Sequence, residues 1–183
     1  MIMLETPRMT DTRNVVDKYK GMAMDYIVAD LDAHGSTLEI ALDNVERDFN
    51  MGTIVRSANA FGVRHVHVIG RRQWNKRGAM MTDKYLHVHY YADVASFIEA
   101  SAGKMLIAID NTDDALSLGD VALPPNAMLL FGAEGPGIRP ELCAQASAVA
   151  KIDQYGSTRS LNVGVAAGIA MYEWTRRNSK EII

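Results

Sequence analysis

The stretch LEIALDNVERDFNMGTIVRSANAFGVRHVHVIG, residues 38–70, decides the fold. It opens on a short apolar run, Leu38 to Leu42, and closes on another, His65 to Ile69. Between them Ile54, Val55 and Ala58 recur at the three-to-four spacing of a helix that turns one face to a core. Strand, helix, strand is the unit that lays two parallel strands side by side with the helix across them.

The rest of the chain extends this alternation. Further strands are expected at Leu86 to Tyr90, Met105 to Ile109, Ala127 to Phe131 and Ala148 to Ile152, with helices between several of them. The fold class is therefore α/β, a mostly parallel sheet flanked by helices. Upstream, Val15, Tyr19, Met22, Tyr26 and Ile27 suggest a helix from Asn14 to Leu31 that DAHGS terminates. Residues 1–36 thus read as a helical extension and 37–183 as one domain, in keeping with 183 residues of which 48% are hydrophobic and 22% charged.

Composition narrows the function classes. The apolar run from Leu161 to Tyr172 contains Asn162 and falls short of the roughly 20 residues a membrane span needs. The N-terminal MIMLETPRMTDTR lacks the apolar core of a secretory signal, so the protein reads as cytoplasmic. The one cysteine, Cys143, allows no intramolecular disulfide and offers no metal-ligand spacing. Two His-x-His pairs, His65 with His67 and His87 with His89, each place two rings on one strand face, but no carboxylate or cysteine spacing accompanies them, and no metal is expected. With a net charge of -3, basic surface must be local. The segment RRQWNKRGAMMTDK is one such region, carrying Arg71, Arg72, Lys76 and Arg77 around Trp74.

In open α/β sheets ligands bind beyond the carboxyl ends of the strands. Three polar, glycine-bearing loops follow strands here: Asp43 to Gly62, Gly132 to Ile138 and Asp153 to Gly164. In GAEGPG, glycines at 132, 135 and 137 let backbone amides approach a ligand without interference from Cβ atoms. It is no Walker loop, since Ile138 and Arg139 follow Gly137, and it does not match G-x-G-x-x-G, so a nucleoside triphosphatase or an oxidoreductase lacks its fingerprint. Glu134 is a carboxylate in that loop. Ser160 or Asn162 is placed to cap the last helix, and Gly164 and Gly168, one turn apart, suit a close helix contact within the domain or across a dimer. Arg56, one turn beyond Gly52, offers a planar fork of donors suited to phosphate.

Taken together, the loops resemble the motifs of the SpoU/TrmH branch of the SPOUT methyltransferases over roughly Leu38 to Trp174. NMGTIVRSANAFG supplies Asn50, Gly52 and Arg56; LLFGAEGPGI supplies Gly132, Glu134, Gly135 and Gly137; IDQYGSTRSLNVGVAAGIAMYEW supplies Ser160, Leu161, Asn162 and Val163. Ala133 stands where many members carry asparagine, Gln154 where many carry methionine, and Gly164 replaces a frequent serine. The resemblance implies S-adenosylmethionine as methyl donor, a ribose 2′-hydroxyl of RNA as acceptor, a homodimer and a C-terminal trefoil knot. It implies cofactor contacts from Phe131, Gly132, Ala133, Glu134, Gly135, Gly137, Ile152, Gln154, Ser160, Leu161 and Val163, and catalytic roles for Arg56, Asn50, Glu134, Ser160 and Asn162. Arg71, Arg72, Lys76 and Arg77 would join Arg56 in gripping RNA, with tRNA favoured over rRNA for want of a separate RNA-binding domain. A non-catalytic RNA-binding member of the same fold is the alternative, against which the intact Arg56, Glu134 and Asn162 speak.

Overall fold

The computed structural model describes residues 13–70 and 74–178. Its centre is a seven-stranded sheet in which every pairing is parallel. The strands are β1 (Ser36–Asp43), β2 (Val63–Ile69), β3 (His87–Tyr91), β4 (Met105–Ile109), β5 (Leu116–Ser117), β6 (Ala127–Phe131) and β7 (Ala148–Lys151), in the order β3-β2-β1-β6-β4-β7-β5. The central strands β6 and β4 are continuous apolar runs because both of their faces are covered. Leu38, Ile40 and Leu42 of β1 face one layer, while Ala41 joins Met128 and Leu130 of β6 on the other.

The first layer consists of α2 (Asp48–Ala60) and α5 (Val163–Asn178). Met51, Ile54, Val55 and Ala58 form the buried face of α2, and Val163, Ala167, Ala170, Met171 and Trp174 that of α5. The second layer holds Phe97 of α3 (Val94–Ala100) and Leu142 of α4 (Pro140–Cys143). The glycines of α5 serve a contact inside the domain: a Cβ on Gly164 would lie 3.1 Å from Thr53 Cγ2, and one on Gly168 3.9 Å from Ser57 Oγ, both on α2. Gly52 is required for a different approach, since a Cβ there would fall 2.5 Å from backbone atoms of Gly78 in the 3-10 turn Lys76–Ala79. At its far end α5 is tied down by Arg177, whose Nη1 donates to the Val121 carbonyl at 2.7 Å and whose Nη2 donates to that of Leu118 at 2.9 Å.

The N-terminal helix is shorter than its apolar spacing suggests. α1 spans Met24–His34, and Asp17–Tyr19 forms a separate 3-10 turn. Gly21 lies between them at φ 74, a left-handed conformation that interrupts the helix expected from Asn14, and only Ile27 of α1 is buried. β5 has two residues and carries no alternation by which it could be recognised. The strand expected at Leu86 to Tyr90 runs one residue later, and the one expected at Ala148 to Ile152 stops at Lys151. Among the described residues no helix is long and apolar enough to cross a membrane.

Candidate active site

β6 ends at Phe131 and the chain turns immediately through Gly132 to Ile138. Ala133 and Gly137 exchange backbone hydrogen bonds of 3.1 and 3.0 Å, which folds the turn tightly. A Cβ on Gly132 would sit 2.2 Å from the Gly137 carbonyl carbon, and Gly137 itself has φ 74, so neither position accepts a side chain without strain. Carboxylates beyond the two strands flanking β6 anchor the exit of the turn. Asp110, after β4, accepts from the Ile138 amide at 3.1 Å. Asp43, at the end of β1, accepts from the Arg139 amide at 2.8 Å and from its Nε at 2.7 Å, and also pairs with Nη2 at 2.5 Å. Asp43 is 1% exposed, so its charge is buried and met by a guanidinium.

This turn, the segment after β4 and the loop between β7 and α5 enclose a cavity of about 1050 Å³. Phe131, Gly132, Ala133, Glu134, Gly135, Gly137, Ile152, Gln154, Ser160, Leu161 and Val163 all border it. The two walls are linked directly, because Asn111 Nδ2 donates to the Arg159 carbonyl. Gln154 turns a buried Oε1 that has no protein partner. The size is just above the range of ordinary small-molecule sites, about 300–1,000 Å³.

At the cavity edge three of the singled-out side chains meet. Asn162 Nδ2 donates to Asn50 Oδ1 at 3.0 Å and to Glu134 Oε1 at 3.1 Å. Its own Oδ1 accepts from the amides of Gly164 at 2.9 Å and Val165 at 3.3 Å, so Asn162 is the N-cap of α5, and Ser160 is not. Capping and bridging are thus done by one amide, whose orientation is set by the helix. Asn50 is 1% exposed and its Nδ2 has no protein partner. Glu134 Oε2 also takes an ion pair of 2.9 Å from Arg47 Nε.

Arg56 lies outside this cluster. It follows Asn50 by six residues on α2, roughly 9 Å along the axis at 1.5 Å per residue, and is exposed. Among the described residues it has no ionic or hydrogen-bonding partner. Of the basic segment, Arg71 and Arg72 lie outside the described residues. Lys76 pairs with Asp83 at 2.9 Å, which raises its pKa, and Arg77 is exposed. Trp74 is 8% exposed and belongs to the core, with its Nε1 donating to Tyr90 Oη at 3.3 Å. It therefore offers no ring to a partner.

The histidine pairs form a ladder on the other half of the sheet. His65 stacks on His87 and His89 with centroids 5.1 and 5.2 Å apart, and His67 stacks on His89 at 4.9 Å. His65 Nδ1 and His89 Nε2 share a hydrogen bond of 3.0 Å, His67 Nε2 meets Glu39 Oε2 at 2.8 Å, and His87 Nε2 meets Asp32 Oδ1 at 3.0 Å. Burial and the neighbouring rings hold His65 and His89 below the usual histidine range. Burial alone would raise Glu39, but hydrogen bonds from His67 and Lys104 and their charges outweigh it and bring its carboxyl to about 2. Among the described residues no group of three or more His, Cys, Asp or Glu side chains is arranged to hold a metal ion.

Sequence reasoning missed Asp43, Arg47, Asp110 and Arg139. Asp110 follows a parallel strand, where the strand-end rule would have pointed. Asp43 and Arg139 are 96 residues apart, and no local pattern pairs them.

An α/β sheet with a glycine-lined cavity beyond its strand ends, closed by the capped head of a C-terminal helix, defines a small-molecule-binding enzyme domain. The sequence profile of the SpoU rRNA Methylase family matches residues 37–172, and the chain belongs to that family. It is similar to a Thermus thermophilus tRNA (guanosine(18)-2′-O)-methyltransferase, 31% identical over 148 residues that cover 78% of this chain and 76% of the relative. It is also similar to a Burkholderia 23S rRNA (guanosine-2′-O-)-methyltransferase, 32% identical over 157 residues and covering 81% of this chain but 62% of the relative. Among solved structures, the A. aeolicus TrmH/SpoU tRNA modifying enzyme superposes with a TM-score of 0.76 at 25% identity, covering 86% of this chain and 83% of that one. An AdoMet-bound rRNA methyltransferase from Sinorhizobium meliloti superposes with a TM-score of 0.71 at 28% identity, covering 77% and 56%.

Proposed function

We propose that this protein transfers a methyl group from S-adenosylmethionine to a ribose 2′-hydroxyl of RNA, with tRNA the favoured substrate. The observation that carries the reading is the joining of the Gly132–Gly137 turn to the capped head of α5 around one cavity, with the Asn50, Asn162 and Glu134 cluster at its edge. The donor set fits this cofactor. Glycine-lined backbone can approach a nucleoside, and the buried Gln154 Oε1 and Asn50 Nδ2 offer unused acceptor and donor capacity. Asp110, Asp113, Glu134 and Asp153 outnumber Lys151 and Arg159 around the cavity, which suits a ligand bearing sulfonium and ammonium charges. The tRNA preference is supported by the Thermus thermophilus and Aquifex aeolicus tRNA-modifying relatives, which the chain covers to 76% and 83%, against 62% for the Burkholderia rRNA-modifying one, although an Escherichia coli tRNA-modifying relative is covered to 63%.

Bound S-adenosylmethionine supplies an electrophilic methyl group whose S–C bond breaks as the ribose oxygen bonds to carbon. The chain's contribution is alignment of that in-line displacement and disposal of the hydroxyl proton. Guanidinium groups keep their proton near neutral pH. Arg56 therefore acts as a charged fork that holds phosphate and ribose, while a phosphate oxygen or water takes the proton. Asn162 and Asn50 fix the head of α5 against α2, and Glu134, Ser160 and the cofactor-lining backbone orient the donor. Lys76 and Arg77, with Arg71 and Arg72, extend the phosphate grip.

The working unit in this reading is a cytoplasmic homodimer. Val165, Ile169 and Tyr172 form an exposed apolar stripe on α5 at i, i+4 and i+7, bordered by Phe61, whose ring centroid is 6.3 Å from that of Tyr172. The C-terminal trefoil knot is part of the same reading, supported by the superposition on the TrmH/SpoU tRNA modifying enzyme. Calorimetry separates the cofactor assignment from its rival: S-adenosylmethionine and S-adenosylhomocysteine bind and NAD does not. Binding of NAD alone would refute it.

A further inference from the structure

Building on the RNA reading above, we propose that Phe49 and Tyr155 are stacking platforms for an unpaired nucleobase of the substrate. They are the two most exposed large hydrophobic side chains among the described residues, Tyr155 at 96% and Phe49 at 75%, with Val16 next at 59%. Tyr155 borders the cavity, and Phe49 lies on α2 one turn before Thr53, which packs against Gly164 at the head of α5. Among the described residues neither ring stacks on another aromatic. A fold able to bury Phe97 and Phe131 completely leaves these two rings in water.

The helix register says what Phe49 faces. Phe49, Thr53 and Arg56 fall at i, i+4 and i+7, one face of α2. Thr53 on that face lies beneath Gly164 at the head of α5, so the face adjoins the candidate active site. Arg47, the residue before the helix, is turned away from that face, with its Nε held by Glu134 at 2.9 Å. An isolated ring on one helix face with the exposed guanidinium of Arg56 complements a nucleotide: the cation meets a phosphate and the ring meets a base. A protein partner would need a contiguous apolar patch, and the register instead gives Phe49 the polar Thr53 and the charged Arg56 as neighbours on its face. The base must be unpaired, because a duplex hides its faces.

The test uses the full-length protein and a short single-stranded RNA containing 2-aminopurine, whose fluorescence reports stacking. Phe49→Ala and Tyr155→Ala each weaken RNA binding by about 5- to 100-fold, whereas Phe49→Tyr and Tyr155→Phe stay within about twofold, because any aromatic face stacks on a base. The S-adenosylmethionine Kd and the mass by light scattering remain unchanged. Normal RNA affinity in both alanine variants overturns the proposal. A fall in mass for Phe49→Ala, or lost cofactor affinity with normal RNA affinity for Tyr155→Ala, makes that ring a subunit contact or a cofactor cover and overturns its assignment. A labelled-methyl assay separates the two readings. Wild-type protein that stacks RNA but transfers no methyl refutes the methyltransferase reading alone; wild-type transfer with normal binding in the variants refutes the platforms alone.

Discussion

Replacing Asn162 by alanine separates its two duties. The substitution removes the oxygen that accepts from Gly164 and Val165 and the nitrogen that donates to Asn50 and Glu134. Loss of an N-cap costs about 1 kcal/mol. Asn50 is 1% exposed and keeps no partner for Oδ1, which adds about 1–2 kcal/mol, toward the lower end because the vacated space admits water. The sum, about 2–3 kcal/mol, lowers Tm by roughly 4–12 °C for a chain of this size. Asn162→Ser restores the cap without the bridge, so it should recover about 1 kcal/mol of stability and none of the methyl transfer that the bridge organises. Urea unfolding and single-turnover transfer measure the two effects. If the serine variant is no more stable than the alanine variant, the capping argument is wrong. If it is fully active, the bridge to Asn50 and Glu134 is not part of the active site.

Asp43→Asn keeps an acceptor for the Arg139 amide but leaves the guanidinium uncompensated. It should cost about 2–3 kcal/mol in urea unfolding, below the figure for a fully buried pair because the Arg139 side chain is 40% exposed, and it should weaken S-adenosylmethionine in calorimetry by loosening the turn. The histidine ladder makes stability fall in mild acid. His65 and His89 sit below the ordinary value of about 6.5, so the unfolded chain binds more protons as pH drops, and the stability they confer is full above that value and lost below it. Glu39, held at about 2, loses its contribution only below the ordinary carboxylate range, so a falling urea midpoint between pH 7 and about 5.5 reports the histidines, and His89→Leu should flatten it. Arg56→Lys should lose most methyl transfer and Arg56→Ala more, both with unchanged cofactor affinity, because lysine keeps the charge without the planar fork. Wild-type single-turnover rates in Arg56→Ala would remove it from the mechanism.

Much of this arrangement is legible in the sequence. The alternation from Leu38 to Ile69 gave the parallel βαβ unit, and the strand-end rule put the three polar loops on one edge, where the structure joins two of them around the cavity. What escaped depends on contacts with no local signature. The left-handed Gly21 breaks a helix whose apolar spacing runs straight through it. The carboxylates of Asp43 and Asp110 grip the Gly132–Ile138 turn from strands distant in sequence. Strand alternation placed each histidine pair on one face, but the stacking of one pair on the other follows from the β2–β3 register, in which His65 meets His87 and His67 meets His89. Trp74 stands amid basic residues in the sequence, yet it belongs to the core, where β3 supplies Tyr90 as partner for its nitrogen.

The most direct test incubates the purified protein with S-adenosylmethionine labelled in the methyl group and unmodified tRNA and rRNA, then digests the RNA to nucleosides. The label should appear in a 2′-O-methylribonucleoside, more from tRNA than from rRNA, and should vanish with Arg56→Ala. Label on a base, or none on either RNA while the protein still binds the cofactor, would contradict ribose methylation by this site.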